Sequence, residues 1–232
     1  MQQLVSRFSH TFLINLPSRS DRWRAARSEF ARVGLILDQN GGKLSTFPAA
    51  KFDDADGFPS KGSKGAFFSH LTILELAREQ KMADVLICED DLKFNNVAPD
   101  VVEDVVASIP ESWDIIHFGY ERPASIDRPI GIHRFMEPPI GSHLYAVNGR
   151  AFDRIIGYMK ETATRPPGHP LGARMGRDAT FGHMLHLYPD IELFLASPNL
   201  ATQRSSSSDI TPSWIDRTPL RRFADVMRSI LR

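Results

Sequence analysis

Cysteine is almost missing from this sequence. Cys88 is the single one, so no internal disulfide can form. A reducing, cytoplasmic setting fits that economy. Net charge is missing too, since 28 Lys and Arg balance 28 Asp and Glu. A general nucleic-acid binder draws its affinity from neutralising phosphates, so no nucleic-acid partner is expected. No apolar run is long enough to span a bilayer. The opening MQQLVSRFSHTFLINL lacks a long apolar core and a clear cleavage site, so no signal peptide is expected. Internal repeats and long low-complexity stretches are also absent. What is there is a 232-residue chain of ordinary globular composition. That length suffices for one sizeable α/β domain with a real core.

Residues 10–16, HTFLINL, read as a buried first strand, which Pro17 to Ser20 then break. A helix follows with Ser20 as N-cap, Trp23, Ala26, Phe30 and Val33 on one face, and Gly34 at its end. Residues 36–62 hold GG, several Asp and two Pro, and read as loops with short strands. A second helix spans 65–80, with Phe67, Leu71 and Leu74 sharing one face. Val85 to Cys88 form the short apolar run of a strand buried on both faces. Pro99 and Asp100 open another helix, and strands are expected at 113–118 and 143–147. Asn148 caps a helix whose inner face is Phe152, Ile155, Ile156 and Met159. Residues 161–177, rich in Pro, Gly and Arg, read as a long loop with the stiffness and joints of a lid. A helix over 178–186 and a strand over 191–196 follow. Strand, turn and helix in alternation predict an α/β fold.

The strand at 85–88 ends abruptly in Glu89, Asp90 and Asp91. Open α/β sheets bind ligands at the carboxyl ends of their strands. Three adjacent carboxylates repel one another, and partial burial sharpens the conflict. Mg²⁺ or Mn²⁺ would resolve it, being held by one or two carboxylates plus substrate phosphates. Strand alternation puts Glu89 and Asp91 on one side as metal ligands, with Asp90 opposite, holding the turn. A solvated turn or salt-bridged loop is the competing reading of the same three residues.

The order of motifs is Ile14-Asn15-Leu16, Arg19 and Asp21-Arg22, then Gly62, Gly65 and Ser69-His70, then Leu86 to Asp91. Gly141 to Tyr145, Asp178, and Pro198, Gln203 and Ser208-Asp209-Ile210 come after. In this order the chain resembles glycosyltransferase family 25, the lipopolysaccharide glycosyltransferases related to the collagen galactosyltransferases. The resemblance covers roughly residues 11–210. It departs at Ala66, where the family often has Cys, and at 161–177, which match no familiar element and leave the acceptor sugar open.

The resemblance implies a GT-A-type, Rossmann-like nucleotide-sugar-binding domain with a mixed central sheet. It also implies a UDP-sugar donor, a divalent metal and an inverting transfer of a hexose, galactose first, to a glycan or lipid-linked glycan. The first strand's end would lie beside the nucleotide, with Asn15, Leu16, Arg19 and Arg22 in the donor site. Ser69, His70 and Asp90 would join them, although a helical His is commonly a satisfied structural group. Asp178 fits the base of an inverting transfer, or else a helix-start carboxylate favoured by the dipole. Asp209 is the second candidate. The glycosyltransferase domain is expected over 1–216. The basic amphipathic segment 217–232 would either touch the inner face of a membrane or pack on the domain. A catalytically silent sugar-nucleotide or glycan-binding protein on the same fold and a metal-dependent phosphohydrolase are the competing functions.

Overall fold

The computed structural model describes residues 1–37 and 42–204. Asp209 and the segment 217–232 lie outside the described residues. Strands β1 (His10–Asn15), β2 (Leu44–Pro48), β3 (Asp84–Glu89), β5 (Ile115–Gly119), β6 (Gly131–Phe135), β7 (Leu144–Asn148) and β8 (Leu193–Ser197) form one mixed sheet in the order β2-β1-β3-β7-β5-β8-β6. β1 runs parallel to both β2 and β3, while β7 lies antiparallel between β3 and β5. Two short strands, β4 (Leu92–Phe94) and β9 (Ala201–Gln203), pair with each other, and Ala201 of β9 also meets Gly119 of β5.

The central strands are apolar on both faces because helices cover both. Leu13, Leu86, Cys88, Leu144, Ala146, Ile116 and Phe118 face one core, with Leu4 of α1 (Gln2–Arg7), Phe30 of α2 (Ser20–Arg32) and Val105 of α4 (Pro99–Ala107). Phe12, Ile14, Val85, Ile87, Tyr145 and Val147 face the other. There they meet Phe67 of α3 (Lys61–Glu79), Ile155 of α5 (Phe152–Thr164) and Phe181 of α6 (Arg177–Leu187). Period-two alternation sorts the side chains of each strand between the two layers.

Several expected boundaries move. α3 begins at Lys61, four residues earlier than expected, because Ser60 caps it by accepting a hydrogen bond from Ser63 N at 3.0 Å. Gly65 is needed within it, since a Cβ there would meet the Ala50 carbonyl oxygen at 2.5 Å. α5 continues to Thr164, so the expected 161–177 loop shrinks to 165–176. Arg174 fastens that loop. Its Nε donates to Ala163 O at 2.8 Å and its Nη1 to Asp56 O at 3.1 Å. α1, β4, β6 and β9 were not expected. Between β5 and β7 the chain runs to the edge of the sheet, where β6 pairs with β8, and returns through a narrow neck. Arg122 and Ile140 close it by exchanging backbone hydrogen bonds of 3.2 and 2.9 Å. Among the described residues no helix is long and apolar enough to cross a membrane.

Candidate functional site

β1 and β3 are parallel neighbours, with Ile14 opposite Glu89. Their carboxyl ends therefore open on the same edge, and a cleft of about 500 Å³ lies there. The β1 end contributes Ile14, Leu16, Ser18, Arg19 and Arg22. The turn after β2 contributes Ala49, Ala50, Lys51 and Phe52, and α3 contributes Lys61, Gly62, Gly65, Ala66 and His70. Glu89, Asp90 and Asp91 complete it. The volume suits a small organic ligand.

The acidic trio is more tightly held than its sequence suggests. Asp90 is buried and accepts from Asn15 Nδ2 at 2.7 Å and Arg22 Nη1 at 3.0 Å. Asp91 is buried too. Its Oδ2 accepts from Gln203 Nε2 at 2.9 Å and Arg22 Nη1 at 3.4 Å. Arg204 steadies the backbone beneath by donating to Asp90 O at 2.6 Å and Asp91 O at 2.7 Å. Glu89 Oε1 lies 3.3 Å from His70 Nε2. Burial raises the pKa of Asp90. Burial, followed by the negative charge of Glu89, pushes Asp91 up to about 7.

This corrects the expected alternation. The strand ends at Glu89 and the chain turns at Asp90 and Asp91, so those two converge on one guanidinium instead of facing apart. Arg22, expected to be available to phosphates, braces the carboxylates. Asn15 does the same from below. Arg19 lines the cleft and forks onto Asp21 through two hydrogen bonds of 3.0 Å. Ser69 does not line the cleft. Its fully buried hydroxyl accepts from Ala50 N at 2.8 Å and donates to Gly65 O at 2.7 Å, so it ties the Lys51 turn to α3.

The trio fits a hard divalent cation. Asp91 Oδ1 is buried and lacks a hydrogen-bond partner among the described residues. Such an orphaned anionic oxygen is costly unless something binds it. Among the described residues no three His, Cys, Asp or Glu side chains form a ready-made cage.

Asp178 stands near the same end of the sheet. Its carboxylate accepts from Gly141 N at 3.1 Å and Ser142 Oγ at 2.9 Å. The next carbonyl, of His143, accepts from Glu89 N at 3.1 Å. Asp178 is also the second residue of α6, so its helix-start reading stands beside its chemical one. The sequence reading gave no role to Gln203, Arg204, Tyr145, Lys51, Phe52 or Lys61. The signal for Lys61 was present: α3 opens on Lys61 and Lys64 with no acid in its first turn, against the usual helix preference.

No protein-family model matches the chain. A human protein, inactive glycosyltransferase 25 family member 3, is 24% identical over an alignment covering 91% of this chain and 39% of that protein. The chain thus spans well under half the length of that relative. A solved glycosyltransferase involved in glycosylation of the major capsid of PBCV-1 superposes with a TM-score of 0.52 at 11% identity, over 95% of this chain and 98% of the other. The chain has a GT-A-type glycosyltransferase fold, and its sequence is similar to glycosyltransferase family 25.

Proposed function

We propose that this chain transfers a hexose, with galactose the first candidate, from a UDP-sugar to a glycan acceptor such as lipopolysaccharide. The anomeric configuration inverts. The observation that carries the proposal is the two-signed cleft. Arg19, Lys51 and Lys61 line it together with Glu89, Asp90 and Asp91. A nucleoside diphosphate bridged to a cation needs both signs. Glu89 and Asp91 would hold Mn²⁺ or Mg²⁺, which when bound stabilises the charge that develops on the leaving nucleotide. Leu16 and Arg19 would border the nucleotide, while Asn15 and Arg22 keep Asp90 and Asp91 in place. Asp178 would take the proton of the acceptor hydroxyl as that oxygen bonds to the anomeric carbon and the bond to the diphosphate breaks. Asp209, outside the described residues, is the second candidate for that role.

Calorimetric titration with UDP and UDP-sugars, with Mn²⁺ and then with EDTA, tests the donor site. Binding that requires Mn²⁺ is expected, and no binding in either condition would refute the reading. A second reading, a silent sugar-nucleotide or glycan binder, is favoured by the word "inactive" in the human relative's name. Donor binding without sugar transfer to any glycan acceptor would select it. Free phosphate as product would instead indicate a phosphohydrolase. Co-sedimentation with anionic vesicles, with and without residues 217–232, tests the proposed membrane contact.

A further inference from the structure

Three neighbouring strands bring Ile87, Tyr145 and His117 to one level of the sheet. Ile87 and Tyr145 belong to the core layer that α3 covers. Glu89, two residues beyond Ile87, projects from the same face. α3 sets His70 onto this row. The rings of His70 and His117 both lie nearly parallel to that of Tyr145, with centroids 5.6 and 5.5 Å away. His70 is fully buried. Its Nδ1 is 2.7 Å from the Tyr145 hydroxyl, and its Nε2 is 3.3 Å from Glu89 Oε1.

A neutral imidazole carries one proton, and its two nitrogens must play opposite parts. An ionised Glu89 can only accept. Nε2 must therefore carry the proton, which leaves Nδ1 as the acceptor and makes the Tyr145 hydroxyl its donor. The other tautomer would aim a lone pair at a carboxylate. We infer that Tyr145 is a positioning residue of the cleft: its hydroxyl fixes His70 with Nε2–H toward Glu89, and His70 thereby holds that carboxylate in place. The inference rests on the reading of Glu89 as part of the cation and donor site. Groups that orient a ligating carboxylate from behind contribute strongly to metal affinity.

The test uses the full chain labelled with ¹⁵N-histidine and free of ligand. Long-range ¹H–¹⁵N correlation reads the tautomer of His70, assigned by the signal lost in His70→Gln. The wild type should show neutral Nε2–H. Tyr145→Phe keeps the ring and its stacking, and Glu89 should still hold the proton on Nε2, while the Nδ1 ¹⁵N signal should move to the position of an acceptor nitrogen without a donor. Its affinity for UDP in the presence of Mn²⁺ should fall about tenfold. Adding Tyr145→Phe to His70→Gln should change that affinity no further. An Nδ1–H or imidazolium ring in the wild type overturns the inference even if no variant folds. An unmoved Nδ1 signal in Tyr145→Phe, or unchanged UDP affinity, overturns it as well. So do additive losses in the double variant. Failure of the wild type itself to bind UDP with Mn²⁺, with the Nε2–H tautomer intact, sinks the donor-site reading together with the positioning role. Normal wild-type binding matched by Tyr145→Phe sinks the positioning role alone.

Discussion

Asp91 is held where its own ionisation works against the fold. Burial and the charge of Glu89 push its pKa up to about 7, above the ordinary carboxylate value. The folded protein therefore binds that proton more tightly than the unfolded chain does. Its contribution to stability is present below about pH 4 and is lost as pH rises toward 7. With metal removed, Asp91→Asn should thus raise the unfolding free energy at pH 8 by about 1–3 kcal/mol and flatten the pH dependence above pH 4. The same variant should lose all stabilisation by Mn²⁺. Denaturant melts from pH 4 to 8, in EDTA and in Mn²⁺, measure both effects, and a destabilised variant in EDTA at pH 8 would contradict the account. At this scale the sequence disclosed the acids but not their braces. Asn15 and Arg22 lie roughly 70 positions away, and only the pairing of β1 with β3 brings them to Asp90. Arg22 read as a phosphate ligand because nothing local revealed its carboxylate partners.

The elements divide by length. α2, α4 and α5 were legible because each carries an apolar stripe over nine or more residues. β1 and β3 were legible as apolar runs buried on both faces. β4 and β9 have three residues each, too few to show a period, and α1 has six. The clamp between α6 and the 141–142 turn was equally hidden. Asp178→Asn keeps one acceptor oxygen for that clamp but cannot take a proton. Transfer should fall by at least about 100-fold with little change in donor affinity, because a base acts in the transition state. Steady-state kinetics beside donor titration checks this, and an unchanged rate moves the role to Asp209. The loop 165–176 offers a different test. None of its residues lines the cleft, and Arg174 joins it to α5 and to Asp56. Arg174→Ala should cost about 1 kcal/mol and speed tryptic cleavage at Arg165 several-fold. The lid reading further requires that cleavage of the wild type slow when donor and Mn²⁺ are both added. Equal rates would leave the loop as a fixed outer wall.

For the molecule as a whole, the alternation of strands and helices announced an α/β fold. It did not announce the strand order. β7 inserts antiparallel between β3 and β5, across a long stretch of sequence, and no local pattern encodes such a crossing. A donor that binds only the folded state should stabilise the whole chain. At about 100 times its Kd, UDP with Mn²⁺ should add about 2.7 kcal/mol, and the melting midpoint should rise by about 5–10 °C. UDP in EDTA should leave the midpoint unchanged, and an equal rise there would remove the cation from the site. The closed neck at Arg122 and Ile140 has a consequence for how such a chain can change over time. The segment between those two residues is held at that neck, by the pairing of β6 with β8, and by hydrogen bonds to Ser108 and Ser197, while β6 pairs with no strand but β8 among the described residues. The cleft edge at β1 and β3 lies on the other side of β7, β5 and β8. Lengthening a flexible loop costs only a logarithmic loss of entropy. The stretches flanking β6, 124–129 and 136–139, are therefore splice points. A run of Gly and Ser inserted at either should leave UDP affinity at the wild-type value by calorimetry. A chain on this frame can thus vary its outer face there while the cleft edge at β1 and β3 keeps its shape.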